Sequence, residues 1–214
     1  MTAADVSQSS DRKSAIARKR NRIQGRKQAF AIESIAKIKS HLIERNDRRG
    51  LALLLTSLDT CLRSCDLLSL RVSDVVDHNM LVVERFELRQ AKTNRNVMCS
   101  LTPATREALR DVISVQNKGV TDYLWTAKDD FHGPAISRVL FRRIVKAWAV
   151  VANLDQRRFS GHSTRRTKVT VLYAKTRDVK ACAQLLGHAN LGHTSAYIGA
   201  DGAAALDLAL TIQF

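Results

Sequence analysis

Six side chains in this sequence stand out as candidates for the chemistry of phosphoryl transfer. They are Arg63, Lys92, His162, Arg165, His188 and Tyr197. Two guanidinium groups can clamp the non-bridging oxygens of a phosphodiester bidentately, and preorganised positive charge of this kind can replace a metal ion. A tyrosine hydroxyl, with an unperturbed pKa near ~10, is a weak nucleophile that needs a proton acceptor or a positive field. The set therefore predicts attack by Tyr197 on a phosphodiester, with His162 as the base and His188 as a hydrogen-bond donor to the phosphate.

The spacing of these residues supports reading them as one set. His162 and Arg165 are three residues apart and share one face at the start of a predicted helix. His188 lies in a Leu-Leu-Gly-His turn, and Tyr197 follows nine residues later. Each residue alone is unremarkable, because an isolated arginine is usually solvated and a lone histidine is more often structural. The prediction depends on their combination.

Hydrophobic periodicity predicts that most of the chain is helical. Apolar residues recur at helical spacing from Phe30 to about Arg45, and a Thr-Pro pair at 102–103 is a typical helix start. The predicted helices are 30–45, a buried helix over 51–62, a short one directly after it, one after Thr102, and further helices over 136–154, 163–174, 176–187 and, near the C-terminus, 201–214. Gly187 is expected to end the helix over 176–187.

The pattern changes between residues 80 and 101, which are rich in Val, Leu and Phe. We predict two or three short antiparallel strands there, with a tight hairpin at 92–95 and Lys92 at its tip. The fold class is therefore mainly α with a small antiparallel β-sheet (α+β). Residues 28–198 are expected to form one catalytic domain, preceded by a disordered arm (1–27) and followed by a C-terminal helix (199–214).

The charge balance points to a nucleic acid. The chain has 35 Lys and Arg against 20 Asp and Glu, a formal net charge of +15, which favours a polyanionic partner. We expect the basic arm to follow DNA phosphates. The predicted DNA contacts are Arg18, Lys19, Arg20, Arg22, Arg26 and Lys27 in the arm, with Arg95, Arg166 and Lys168 beside the motifs.

Other classes of function and site are disfavoured. The sequence has no apolar stretch near the ~20 residues that span a bilayer and no secretory-type N-terminal segment, so we expect a cytoplasmic, nucleoid-associated protein. The four cysteines form neither a CxxC pair nor a disulfide framework. A zinc site at Cys182, His188 and His193 has a spacing that fits no standard ligand set. No metal or other cofactor is expected.

Taken in order, these motifs resemble the tyrosine recombinase (phage integrase) family. The matching segments are Cys61-Leu62-Arg63-Ser64-Cys65-Asp66-Leu67, Lys92 in a hairpin, His162 to Arg165, Leu186-Gly187-His188, and Tyr197. The resemblance covers roughly residues 29–198, and the chain is similar to short members such as the fimbrial phase-switch invertases. Two positions depart from the family pattern: Cys61 replaces a glycine in a tight turn, and Asp66 replaces a glutamate that orients its neighbours.

The resemblance implies a function and a mechanism. It implies the tyrosine recombinase catalytic-domain fold and a site-specific recombinase that cuts and rejoins double-stranded DNA through a 3′-phosphotyrosyl link, without metal or ATP. Lys92 would give a proton to the leaving 5′ oxygen. Family members act as four protomers on two DNA segments, sometimes with a directionality factor. The C-terminal helix would dock on a neighbouring protomer, although it could also fold back on its own domain.

Two alternatives stay open at this point. Residues 176–198 could form a helix-turn-helix, with Gly187 at the turn, in a non-catalytic DNA-binding accessory protein. A type IB topoisomerase-like strand transferase, or a hairpin-forming telomere resolvase, would use a very similar set of residues but give a different product. Neither alternative accounts for the full set of motifs and their spacing as well as a recombinase does.

Overall fold

The computed structural model describes residues 27–188 and 190–198, and for residues 196–198 it describes the backbone alone. Within these residues the chain is mainly helical with one two-stranded antiparallel sheet, as predicted. The elements, in chain order, are α1 (Ile32–Glu44), α2 (Arg48–Thr60), α3 (Ser64–Leu68), α4 (Val72–Val75), β1 (Arg85–Arg89), β2 (Asn96–Ser100), α5 (Pro103–Val115), α6 (Arg138–Val151), a 3-10 turn (Gln156–Arg158), α7 (Gly161–Thr176), α8 (Val179–Leu186) and α9 (Leu191–Ile198). The predicted basic arm, apart from Lys27, and the predicted C-terminal helix lie outside the described residues.

Short polar side chains cap most of the predicted helices at their N-termini. Asp47 accepts a hydrogen bond from the Gly50 amide at 2.9 Å, which starts α2 three residues earlier than predicted. Equivalent caps begin α5, α6 and α8 at Thr102, Ser137 and Asp178. These caps satisfy amide groups that have no partner within the helix, so they fix where each helix begins.

Helix α2 is the centre of the hydrophobic core. It packs against both α5 and α7, and its Leu53 and Leu54 are fully buried. Each such leucine contributes roughly 2 kcal/mol through the apolar surface it removes from water. Because α2 packs against two other helices, its buried C-terminal end gives a fixed position to the residues that follow, Cys61 to Arg63.

The predicted hairpin is confirmed as two strands. Phe86 lies opposite Cys99 and Leu88 opposite Val97, and Phe86, Val97 and Cys99 are buried against the core. A third strand does not form between residues 80 and 101, because Val82 makes only one isolated bridge, to Val76. Alternation between buried and exposed positions fixes the register. The turn between the strands therefore has a defined place over the helical core.

Candidate active site

Arg165 is a buried guanidinium that joins two helix ends. It lies on α7, is 3% exposed, and donates through Nη1 to the carbonyl of Cys61 at 2.5 Å and through Nη2 to the carbonyl of Leu186 at 2.7 Å. These carbonyls lie at the C-terminal ends of α2 and α8, where the helix dipoles concentrate negative charge. The same Nη2 is 3.5 Å from His188 Nε2. Arg165 thus brings together the segment that begins at Cys61 and the Leu186-Gly187-His188 turn.

Cys61 forms the tight turn in which the family pattern has glycine. Its φ of 50° and ψ of 25° are left-handed, a conformation that costs a residue with a Cβ roughly 1 kcal/mol. The side chain is buried beside Val169, Cys182 and Leu186. Burial raises the pKa of the Cys61 thiol to about 12, so the group stays protonated. The substitution therefore keeps the turn and adds a packed, unreactive side chain.

Arg63 reaches the rest of the site through Gln90. Arg63 is half-buried at the N-cap of α3, and its Nη1 donates to Gln90 Oε1. Gln90 is 1% exposed, and its Nε2 lies 3.4 Å from the carbonyl of Leu186 that also binds Arg165. One amide side chain therefore links the two arginines. Sequence reasoning did not single out Gln90, and the only available signal was a polar residue between a strand and Lys92.

Asp66 holds the turn that carries Lys92. The Asp66 side chain is buried, and its Oδ1 accepts a hydrogen bond from the Ala91 amide at 3.0 Å. Lys92 is the next residue and is exposed. The shorter carboxylate at this position thus still orients a neighbouring segment, as the sequence led us to expect.

An open cavity of about 490 Å³ lies beside these residues. The cavity is lined by Arg63, Ser64, Cys65, Lys92, Arg138, Val139, Arg142, Ser160, Gly161 and His162. Four of these side chains are cationic and none is acidic. Arg138 and Arg142 were not among the predicted site residues. They are four residues apart at the start of α6, so they share one face, and both are exposed. The cavity is suited to a polyanion.

The pKa values of both histidines are lowered, first by burial and then by nearby positive charge. Burial, followed by the charges of Arg165 and Arg63, lowers the pKa of His188 to about 4. The pKa of His162 is lowered by burial and then by Arg165, Arg63, Lys92 and Arg166. Both imidazoles are therefore neutral at pH 7 in the free protein. A neutral imidazole can accept a proton, which a base requires.

The depressed pKa of His188 predicts a pH-dependent stability. The unfolded chain binds a proton at His188 near its ordinary value of 6.5, whereas the folded chain does so only near pH 4, so stability is lost as the pH falls through this window. Between pH 7 and pH 5 we expect the free energy of unfolding to fall by about 1 kcal/mol more in wild type than in His188→Gln, allowing for solvent screening. Urea denaturation at both pH values measures this difference.

The control is His78→Gln, which removes an exposed histidine outside the site. This variant is expected to keep the wild-type pH dependence. Parallel pH dependence in wild type and His188→Gln would show that His188 is not held neutral by the site.

The helix that carries Tyr197 is fastened to the turn that carries His188. Thr194 of α9 is fully buried, and its Oγ1 is 3.1 Å from His188 Nδ1. Helix α9 also packs against α7 and α8. The backbone of Tyr197 lies on α9, three residues after Thr194, while its side chain is outside what the structure describes. The fold thus brings the segment of the predicted nucleophile next to the arginine and histidine cluster.

The predicted DNA contacts fall in several places. Arg95 is exposed in the hairpin turn and Arg166 is half-buried on α7. Lys168 forms an ion pair with Asp59 at 2.8 Å, so its charge is engaged within the fold. The Lys27 ammonium donates to the carbonyl of Arg157 at 2.7 Å. The remaining arm residues, Arg18, Lys19, Arg20, Arg22 and Arg26, lie outside the described residues, and their DNA contacts stay predictions.

No group of three or more His, Cys, Asp or Glu side chains within residues 27–188 and 190–195 could hold a metal ion. Cys182, a member of the disfavoured zinc set, packs in the apolar cluster with Cys61, Val169 and Leu186. No helix in the described part of the chain is long and apolar enough to cross a membrane.

Sequence comparison identifies relatives of the chain. A profile of the phage integrase family matches residues 28–203. The probable integrase/recombinase YoeC of Bacillus subtilis (strain 168) is 25% identical over 171 residues, which cover 80% of this chain and 88% of the relative. Tyrosine recombinase XerC of Caldanaerobacter subterraneus subsp. tengcongensis is 27% identical over 158 residues, covering 72% of this chain and 42% of the relative. The chain thus spans less than half the length of that XerC.

Solved structures share the fold at low sequence identity. The XerA recombinase has a TM-score of 0.70 at 18% identity, with 89% of this chain and 67% of that chain covered. XerH bound to its difH substrate before cleavage has a TM-score of 0.67 at 19% identity, covering 90% and 56%. A lambda integrase dimer bound to a COC′ core site has a TM-score of 0.61 at 20% identity, covering 82% and 49%.

These matches confirm the resemblance, the fold class and the predicted class of function, site-specific DNA recombination. The arrangement of the motifs around Arg165 and the match of a family profile over most of the chain lead to the same assignment. The chain belongs to the phage integrase family, the family of the tyrosine recombinases.

Proposed function

We propose that residues 28–198 form the catalytic domain of a recombinase that cleaves and rejoins double-stranded DNA through a 3′-phosphotyrosyl link to Tyr197. The observation that carries the proposal is the joining of Arg63 and Arg165 through Gln90 and the Leu186 carbonyl, beside His188 and the cationic cavity. DNA is the substrate of choice because related recombinases, XerH and lambda integrase, have been solved as complexes with their DNA sites.

In the cleavage step, the hydroxyl oxygen of Tyr197 attacks the scissile phosphorus and its proton passes to His162. The bond between phosphorus and the 5′ oxygen breaks, and Lys92 donates a proton to that oxygen. Arg63 and Arg165 bind the non-bridging oxygens, whose negative charge grows as the new bond forms. His188 donates a hydrogen bond to one of them. The depressed pKa of His162 suits it to this role, because the imidazole is neutral at pH 7.

Rejoining reverses these steps. The 5′ hydroxyl of a second strand attacks the phosphotyrosine, its proton passes to Lys92, and Tyr197 leaves with a proton from His162. The phosphotyrosyl bond keeps the energy of the broken phosphodiester, so the cycle needs no ATP. The guanidinium groups supply the charge stabilisation that a metal ion gives in other phosphoryl transfers, so the proposed reaction is also metal-independent.

DNA would enter the cationic cavity and extend along the basic surface around it. Arg138 and Arg142 would bind phosphates that neighbour the scissile one, and Arg95 and Arg166 would extend the contact together with the arm (1–27). In cells the protein would act in the cytoplasm, on the nucleoid. Four protomers on two DNA segments would complete recombination, with residues 199–214 docking between protomers and a directionality factor biasing the outcome.

The cationic face of α6 predicts that removing Arg138 and Arg142 weakens the salt dependence of DNA binding. Each phosphate contact adds about 0.9 to the slope of log affinity against log salt. The double variant Arg138→Ala/Arg142→Ala is therefore expected to lower the magnitude of this slope by about 2 on duplex DNA of arbitrary sequence. Fluorescence anisotropy over a salt series measures it.

The matched control is Arg143→Ala/Lys146→Ala, on the same helix but outside the cavity. This control is expected to stay within about 0.5 of the wild-type slope. Equal losses in the two double variants would mean that the cavity is not the preferred path of the DNA.

Trapping of the covalent intermediate tests the function itself. Nicked duplexes from the DNA that flanks the chain's own gene are incubated with the protein in EDTA and without ATP, then run on a denaturing gel. A recombinase is expected to give a protein–DNA band at a defined sequence. Binding without an adduct would favour the accessory DNA-binding protein. In a parallel reaction on a supercoiled plasmid, relaxation without sequence preference would favour a topoisomerase-like strand transferase.

A further inference from the structure

Gln90 lies at the point where three parts of the site meet. It follows β1 directly, precedes the turn that carries Lys92, and is almost fully buried. Its side-chain oxygen accepts hydrogen bonds from Arg63 Nη1 and, at 2.8 Å, from Thr93 Oγ1. Both acceptor positions of the amide oxygen are therefore in use. A buried amide with this many partners is costly to replace and holds those partners in one geometry.

The nitrogen end of the same amide reaches the Leu-Gly-His turn. Gln90 Nε2 lies 3.4 Å from the carbonyl of Leu186, which also accepts the 2.7 Å hydrogen bond from Arg165. Gly187 packs so closely here that an added Cβ would lie 3.1 Å from Gln90 Nε2 and 2.5 Å from a methyl of Val97. The close approach, together with a φ of +62°, accounts for glycine at this position.

The backbone of Gln90 closes the turn that carries Lys92. Its amide donates to the carbonyl of Arg95 at 2.8 Å, and its carbonyl accepts from the amide of Asn94 at 2.8 Å. Thr93, the neighbour of Lys92, is tied to the Gln90 side chain. Movement of this amide would therefore displace the lysine and the Arg63 guanidinium together.

We propose that Gln90 is a positioning residue that couples the general-acid lysine to the two phosphate-binding arginines. The inference rests on the proposed function, since it assigns Lys92 to the leaving oxygen. In this arrangement Gln90 touches no reacting atom. It fixes the distance between the group that protonates the 5′ oxygen and the groups that bind the non-bridging oxygens of the same phosphate.

The test compares two leaving groups at the phosphodiester that the wild-type protein cleaves. The position of this phosphodiester is known from the adduct that wild type forms. One duplex has the ordinary 5′ oxygen, and the other has a bridging 5′ sulfur, which leaves as a thiolate and needs no proton because thiols are far more acidic than alcohols. Gln90→Met removes the amide while keeping the length of the side chain. A misplacement of about 1 Å in a catalytic group can cost about 100-fold in rate.

We expect Gln90→Met to form the adduct about 100-fold more slowly than wild type with the oxygen substrate, but only about 10-fold more slowly with the sulfur substrate. The difference between the losses on the two substrates measures the contribution of Lys92. The loss that remains with the sulfur substrate measures the contribution of Arg63. Gln116→Met, which removes another buried glutamine at the end of α5, is expected to match wild type on both substrates.

Equal losses on both substrates would overturn the proposal, because a merely structural role does not distinguish leaving groups. A wild-type rate for Gln90→Met would overturn it as well. Failure of the proposed function is distinct from either result, because wild type itself would then form no adduct on any duplex.

Discussion

Tyr197→Phe is expected to abolish covalent attachment to DNA, lowering the rate of adduct formation by at least about 10⁴-fold. The change removes one oxygen atom, the proposed nucleophile, and leaves the ring. Binding to duplex DNA should be unchanged, because the cationic cavity and the arginine pair stay in place. Single-turnover reactions on the nicked duplex, resolved on a denaturing gel, measure the loss.

The matched control is Tyr173→Phe on α7, whose ring packs 5.5 Å from the Arg177 guanidinium. This variant loses the same atom at a tyrosine with no role in the proposed chemistry, and wild-type rates are expected. An adduct that persists in Tyr197→Phe would assign the nucleophile to another residue.

Arg165→Lys is expected to lower the rate of adduct formation by about 100-fold or more, even though it keeps the positive charge. A lysine ammonium cannot donate in one plane to two helix-end carbonyls, as the buried guanidinium does, and also take the bidentate phosphate contact that we propose for Arg165. Arg165→Ala should also lower the free energy of unfolding by about 3 kcal/mol, because two buried carbonyls lose a charged donor. Single-turnover cleavage and urea denaturation measure the two effects.

The control for the Arg165 variants is an arginine on the same helix that lies outside the site. Arg177→Lys, at the exposed end of the same helix, is expected to change neither quantity. If Arg165→Lys cleaved at the wild-type rate, the bidentate geometry would have no part in the reaction, and the proposed phosphate clamp would have to be abandoned.

Residue spacing was sufficient to predict the elements that depend on local chemistry. The helices over residues 30–45 and 136–154 were predicted because apolar residues recur at helical intervals and bury one face, as Ile38 and Phe141 do. Boundaries moved by a few residues where a cap decided them, as Asp47 does for α2. Helix α4 was not predicted, because four residues are too few for a periodic pattern.

The cluster of motifs was predictable only through its order along the chain. No local rule says that Cys61 and Leu186 will present their carbonyls to one guanidinium. Gln90 was missed because its role arises from contacts made across 27 residues to Arg63 and 96 residues to Leu186. Side chains with such distant partners look like ordinary polar residues in the sequence.

The charge of a basic residue does not by itself reveal its partner. Lys168 pairs with Asp59, whose other carboxylate oxygen accepts hydrogen bonds from Thr102 and Thr105. Arg138 and Arg142 were not predicted as site residues from the sequence, although they line the cavity. Their placement depends on how α6 packs, which periodicity does not settle.

Mass spectrometry of the trapped adduct tests most directly whether Tyr197 is the residue that becomes joined to DNA. Cleavage by trypsin after Lys180 releases a peptide that contains Tyr197 and no other tyrosine of the chain. After nuclease digestion, we expect this peptide to carry a nucleotide through its 3′ phosphate on Tyr197. A nucleotide on Tyr123, Tyr173 or any serine, or a link through a 5′ phosphate, would contradict the proposed mechanism.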